Sequence, residues 1–226
     1  MKRSSWIVLT GILIAIVTMA AADLKLNQEY KQKNIKESLV YTSLPEFHYV
    51  KDDFNGKFYY EWYFCNISAD KKYGVGADFA AQSILKFFVK SDTLFIQKSD
   101  DAAINDIAFG LPLKVYCPTL KGAFAGSCEM NIIAPQADSL TIAAENKGKV
   151  TIQNMKGRYL DVFADNTGSV SLSGSDTLNN LVLNLKSASS FAVNNVFIQS
   201  RNFHISDSAS LQFSGRSLQN FGIKMQ

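Results

Sequence analysis

The sequence predicts an all-β protein whose second half is a β-solenoid (β-helix) of about five rungs, each of roughly twenty residues. Three observations predict it. First, apolar-x-apolar doublets, the mark of short half-buried strands, recur about every ten residues. They are Met130/Ile132, Leu140/Ile142, Val150/Ile152, Leu160/Val162, Val170/Leu172, Leu181/Leu183, Phe191/Val193, Phe203/Ile205, Leu211/Phe213 and Phe221/Ile223. Second, no proline follows Pro135, and helical periodicity is missing from residue 110 to the end. Both suit a region whose backbone N–H groups are engaged in ladders. Third, Val170-Ser171-Leu172-Ser173-Gly174 and Leu211-Gln212-Phe213-Ser214-Gly215 are near copies two repeats apart. Strands at this spacing also suit an antiparallel sandwich, which expects strong tight-turn dipeptides between them. Those are sparse here, and equivalence at whole-repeat spacing favours strands stacked on their counterparts about 4.8 Å away.

The elements follow in order. Residues 1–22 carry Lys2 and Arg3 ahead of an apolar run from Trp6 to Ala22, with small residues Ala20-Ala21-Ala22 before Asp23. This is either a signal peptide or a membrane anchor, although the run is short for a full span of about 20 residues. Both readings place the body outside the cytoplasm, in the periplasm or at the cell surface. Residues 23–43 are polar and Lys-rich and read as a linker. Residues 44–226 form one β domain, with an aromatic-rich N-terminal β region (44–118) capping the solenoid rungs (119–226). Within the cap, Ile84–Lys90 and Thr93–Gln97 form a hairpin through Ser91-Asp92, and Lys114–Cys117 is a strand closed by Pro118. In the rungs, Ile132, Ile142, Ile152, Val162, Leu172, Leu183, Val193, Ile205 and Phe213 point inward. Alternation then gives two outward columns, Asn131/Thr151/Ser171/Ala192/Gln212 and Thr141/Asp161/Val182/His204/Gly222. At the C-terminus, Phe221 and Ile223 leave nothing to cover the last rung, so this edge is expected to dock a second copy or a partner's strand. The opposing expectation is that Arg216, Lys224 and a folded-back tail protect it.

Val115-Tyr116-Cys117-Pro118-Thr119-Leu120 resembles the "V-x-V-P-x-L" opening of the auto-transporter adhesin head GIN domain family. The corners Gly126-Ser127, Ser173-Gly174, Ser187-Ala188, Ser208-Ala209 and Ser214-Gly215 are similar to that family's Ser-Gly and Ser-Ala corners. Phe88–Ile96 is similar to the strand-turn-strand before the opening. The resemblance covers roughly residues 47–223. It implies a right-handed β-helix in a bacterial cell-envelope protein, and it carries over no catalytic residues. The chain departs from the pattern in its aromatic N-terminal half and its three cysteines.

The formal net charge of +3 is small and spread along the chain, which excludes a nucleic-acid footprint. Cys65, Cys117 and Cys128 read as small buried hydrophobes, the alternative being a disulfide such as Cys117–Cys128. No CxxC occurs and there are only two histidines, so no zinc or other cofactor is expected. Asp52-Asp53 and Asp100-Asp101 are loop pairs without the spaced oxygen pattern of a calcium loop. Arg158, Asp161, Asp165, Arg201, His204 and Asp207 could converge on one edge as in a glycan-active β-helix enzyme, or simply decorate the surface. Asp161 and His204 are expected about 10 Å apart, too far for an acid/base pair.

In the run Phe58–Phe64, Tyr59 and Tyr63 flank Glu61 on the face opposite the apolar set, and offer a ligand-contact surface together with Arg158, Asp161 and His204. The expectation is a non-enzymatic envelope or surface module with adhesive or structural binding, its partner an envelope protein or a glycan. Envelope sensing or scaffolding is the first alternative, and a glycan-active β-helix enzyme the second.

Overall fold

The computed structural model describes residues 39–53, 63–99, 111–174 and 177–221. The expectations for residues 1–38, for Tyr59 and Glu61, for Asp100-Asp101 and for Gly222 and Ile223 lie outside the described residues. In chain order the elements are β1 (Val40–Ser43), β2 (Tyr49–Asp52), β3 (Tyr63–Ser68), β4 (Gly74–Ala77), helix α1 (Phe79–Ile84), β5 (Leu85–Lys90), β6 (Thr93–Lys98) and β7 (Leu111–Tyr116). Then come β8 (Gly122–Ala125), β9 (Glu129–Ile133), β10 (Ser139–Ala144), β11 (Lys149–Gln153), β12 (Tyr159–Ala164), β13 (Ser169–Ser173), β14 (Thr177–Leu185), β15 (Ser190–Asn194), β16 (Phe197–Ile205) and β17 (Ser210–Ser214), followed by a 3-10 segment, Gly215–Phe221.

The strands form two long sheets. Sheet I runs β1-β4-β7-β3-β9-β11-β13-β15-β17, and sheet II runs β16-β14-β12-β10-β8-β2-β6-β5. From β8 onward the chain alternates between the sheets, and each strand stacks in parallel on the strand one rung earlier. This is the five-rung β-solenoid that the doublets predict, with no antiparallel pairing between successive doublets. Val170 and Leu211, the starts of the near-copy segments, stand two rungs apart through Phe191.

The doublets bury because alternation turns both members of each pair inward between the sheets. Ile132, Ile142, Ile152, Val162, Leu172, Leu183 and Val193 are all buried, and removing one such side chain to Ala costs about 2–5 kcal/mol. Phe213 also turns inward, half-buried against the core opposite Val193, whereas Ile205, at 39% exposure, is a correction to the inward list. They belong to the last rung, where no further rung stacks over them.

One corner of each of the last four rungs is a tight turn, repeated at the same place. Gly148, Gly168, Ser189 and Ala209 donate their N–H to the carbonyls of Glu145, Asp165, Lys186 and Ser206, respectively. Asn146-Lys147, Asn166-Thr167 and Ser187-Ala188 all hold positive φ in these turns. Such turns are usually the hairpin type. Here they join strands of different sheets, so the scarcity of Asn-Gly pairs was no sign that tight turns are absent. At Gly168 the packing is closest: a Cβ there would collide with the Ala144 carbonyl oxygen.

The N-terminal region is more than a cap. β2 and β3 make a rung of their own against β8 and β9, and β6 and β7 make another on its far side. The chain therefore lays down an inner rung, builds the outer one, and crosses back over the inner rung through residues 117–121 to begin β8. Beyond the outer rung, β4 and β5 pair antiparallel with β7 and β6, and β1 pairs antiparallel with β4. The predicted hairpin is β5–β6, turned by Ser91 and Asp92 at positive φ. Val40–Ser43, inside the stretch expected as linker, is the terminal strand β1. The three cysteines are buried and form no disulfide among the described residues, which agrees with the hydrophobic reading.

At the C-terminal end, the expectation of an uncovered rung is corrected in part. Phe221 closes the 3-10 segment and starts no strand. The buried Ser217 hydroxyl donates to the Val196 carbonyl (2.8 Å) and accepts from the Val196 N–H (3.0 Å), groups that a further rung would otherwise pair. Arg201 holds the inward position of Leu181 in the edge strand β16, a charge where an added strand would need an apolar residue.

Candidate functional site

A cleft of about 390 Å³ opens where the crossing segment 117–121 passes the corner between β9 and β10. Its principal lining groups are Tyr49, Thr119, Lys121, Gln136, Asp138 and Thr141. The elements fix each of them. Lys121 donates its N–H to the His48 carbonyl (2.7 Å) and accepts from the Thr141 N–H (2.9 Å), which sets the crossing segment against β2 and β10. Asp138 accepts two backbone N–H bonds at its carbonyl, from Arg158 and Tyr159, both at 3.0 Å. The two side chains then meet, with Arg158 Nη2 3.0 Å from Asp138 Oδ2, although both are largely exposed. The carboxylate raises the Arg158 pKa further, chiefly through that hydrogen bond.

Tyr49 supplies the aromatic wall. It stands opposite Gly122 in the β2–β8 register, and a Cβ on Gly122 would lie 2.7 Å from the tyrosine ring. Glycine is therefore required for the ring to lie across the neighbouring strand. The ring also stacks on Phe124 of the same strand, with centroids 6.3 Å apart and planes at 29°. The ring is thus held across that strand without being swallowed by the core, and Tyr49 remains half-buried.

Beside the cleft lies a second polar group that the sequence pattern did not single out. His48 Nδ1 is 2.7 Å from Asp92 Oδ1, and its Nε2 is 3.5 Å from Glu46 Oε1. The Tyr73 hydroxyl donates to Glu46 (3.1 Å) and lies 3.5 Å from the Thr119 hydroxyl. Each ring nitrogen of His48 faces a carboxylate, so the imidazole knits β2 to the β5–β6 turn. No group of three or more His, Cys, Asp or Glu among the described residues is placed to hold a metal ion. The Asp52-Asp53 pair is likewise engaged within the protein. Buried Asp52 accepts from the Gly126 (3.1 Å) and Ser127 (2.8 Å) N–H groups, and Asp53 accepts from Gln97 Nε2 (2.6 Å).

The residues expected from sequence divide. Arg158 reaches the cleft rim through Asp138, and Asp161 pairs in register with Thr141, so it stands one strand beyond the lining. His204 does not join them. It pairs with Asn184, whereas Asp161 leads through Val182 to Asn202, so the expected Thr141/Asp161/Val182/His204 column is wrong at its last member. The reason is spacing: β12 to β14 is offset by 21 residues and β14 to β16 by 20, whereas the doublets place Phe203 opposite Leu181. Tyr63 begins β3, opposite Leu111. The other column, Asn131, Thr151, Ser171, Ala192 and Gln212, is as expected. Its hydroxyls link along the stack, with Ser171 Oγ donating to Thr151 Oγ1 at 3.2 Å. Tyr49, Lys121, Gln136 and Asp138 escaped the sequence reading. The only signal was a glycine at position 122 opening a strand in which every neighbour carries a side chain.

No family model matches the chain, and no curated protein matches it. Among solved structures it is similar to a Bacteroides fragilis protein provisionally described as an adhesin, at 14% identity over 77% of this chain and 95% of that one, TM-score 0.49. It is also similar to a Parabacteroides distasonis protein provisionally described as lipid-binding, at 13% identity over 78% and 93%, TM-score 0.42. A third, from Parabacteroides merdae and again provisionally an adhesin, matches at 10% identity over 78% and 95%, TM-score 0.29. At these values the likeness carries no residue role and no ligand over to this chain.

Proposed function

We propose that this chain is a non-enzymatic binding and structural module held outside the cytoplasm, in the cell envelope or at the cell surface, and that the cleft at Tyr49 and Lys121 is its ligand site. The observation that carries this reading is the content of the cleft. It combines a positioned aromatic ring with amide, hydroxyl and ammonium groups, and its one carboxylate, Asp138, is already tied to Arg158. Glycoside hydrolysis needs two carboxylates facing one bond, about 5–9.5 Å apart. Recognition needs only an apolar wall and a few placed polar groups, which this cleft has. Lys2, Arg3 and the apolar run before Asp23 support the location. The stiff stack of parallel rungs supports a role in holding a binding face away from its attachment, which suits adhesion or scaffolding.

Two measurements test the reading. Protease added to cells whose outer layers are opened but whose cytoplasmic membrane is intact should digest the β domain while a cytoplasmic marker survives. Incubation with envelope polysaccharides should release no new reducing ends. Protection from the protease overturns the location, and turnover that is lost in Asp138→Asn overturns the non-enzymatic role.

A further inference from the structure

We propose that the cleft binds an acidic saccharide, with a hexuronate ring lying on Tyr49 and its carboxylate on Lys121. The inference rests on the binding-module reading and names the ligand class of that site. Three observations carry it.

The first is the ring. Gly122 leaves the gap that Tyr49 fills, and Phe124 stacks against it, so the tyrosine is braced by protein and lines the cleft. A pyranose presents C–H groups on one face and hydroxyls at its rim. A braced aromatic surface edged by polar groups matches that amphipathic shape. The size also fits, since 390 Å³ lies at the small end of ligand sites, which span about 300–1,000 Å³.

The second is charge. Among the described residues Lys121 makes no ion pair, whereas Asp138 is matched by Arg158. Lys121 is thus the cation of the lining that no ion pair occupies, with the only carboxylate of the lining already held by Arg158. A carboxylate on the ligand pairs with Lys121, and an ammonium-to-carboxylate hydrogen bond is of the stronger, charge-assisted kind.

The third is the set of unused polar atoms. The side chains of Tyr49, Gln136 and Thr141 have no hydrogen-bond partner among the described residues, yet all three line the cleft with Lys121. Their donors and acceptors are available to hydroxyls around a sugar ring. One strand beyond the lining, Ser139 pairs in register with Tyr159, which is 49% exposed, and Thr141 with Asp161. Tyr49 and Tyr159 are three strand spacings apart, roughly 14 Å along the stack. That spacing leaves room for a chain of sugars, not only a single ring.

The test uses the full chain in a detergent without a sugar headgroup, with digalacturonic acid and its neutral counterpart galactobiose as probes, followed by saturation-transfer NMR. The expected result is binding of the acid and at least about tenfold weaker binding of the neutral disaccharide. Added salt should weaken binding of the acid. Lys121→Met, at an exposed position, should cost about tenfold for the acid and leave galactobiose unchanged. Tyr49→Phe, which removes one hydroxyl and keeps the ring, should weaken both slightly, while Tyr49→Ala should weaken both strongly. His204→Ala, outside the cleft, should change nothing. Equal binding of the two disaccharides, or binding that is indifferent to Lys121→Met, overturns the proposal. No binding of either also overturns it. In that case a glycan array and an envelope pull-down, compared between the wild type and Tyr49→Ala, separate the two levels. Capture of another ligand that depends on Tyr49 keeps the binding module and discards the acidic sugar. Capture indifferent to Tyr49 discards both.

Discussion

At the scale of single residues, the buried cysteines are the groups whose ionisation the fold alters most. Burial is the main cause at both Cys65 and Cys117, because a thiolate would lose its hydration. The nearby Asp52 charge raises Cys65 further. At Cys117 a backbone hydrogen bond near Thr119 opposes the rise and the Asp92 charge adds to it, and the thiol is pushed up to about 12. The unfolded thiols titrate near about 8.5. Above that pH the unfolded chain releases protons that the folded chain keeps, so unfolding is favoured. Stability from this source is fully present below about pH 8.5 and is lost as pH rises toward 12. The expected outcome is a urea midpoint that falls above pH 8.5, and falls less steeply in the Cys65→Ala, Cys117→Ala variant. An equal slope in the two proteins would contradict it.

At the scale of elements, the 3-10 segment acts as the end piece of the solenoid. Ser217 satisfies both backbone groups of Val196 with one hydroxyl. Ser217→Ala leaves both unpaired in a buried place and should cost about 1–3 kcal/mol. Hydrogen exchange should locate the loss at the Val196 amide, and unchanged protection there would remove the capping role. Much of the element pattern was legible in the sequence, because a two-residue alternation inside a fixed repeat can be satisfied by few architectures. Val150/Ile152 and Val170/Leu172 could be assigned to strands and to faces from spacing alone. Spacing failed between β14 and β16, where the charged Arg201 stands opposite Leu181 and the next apolar pair begins two residues on, which moved His204 to the wrong column. It failed again at the C-terminus, where Phe221 mimics the next doublet but follows Ser217 into a helical turn. The cleft was illegible for a different reason. Tyr49, Lys121 and Asp138 come from three separate segments, and only the crossing of residues 117–121 over the inner rung brings them together.

At the scale of the whole molecule, the order of the rungs departs from the order of the chain. β2 and β3 are made first, yet each ends up between strands made later: β6 and β8 around one, β7 and β9 around the other. That arrangement has a mechanical meaning. If the module is tethered at its N-terminus, tension enters at β1, which is held by four paired residues on one side only. Once β1 peels away, the load reaches a rung clamped on both flanks, and the line of pull cannot unzip it one strand at a time. From the opposite end, the rungs are laid down in sequence and can leave in sequence. In a single-molecule pulling experiment on both termini, a small first extension should be followed by repeated releases of about 70 Å as twenty-residue rungs pay out from the C-terminal end. The rung of β2 and β3 should yield last, and its early loss would contradict the reading. With such a tether the fold would behave as a ratcheted cable stop: it would shed length from its C-terminal rungs while the tethered side keeps its grip.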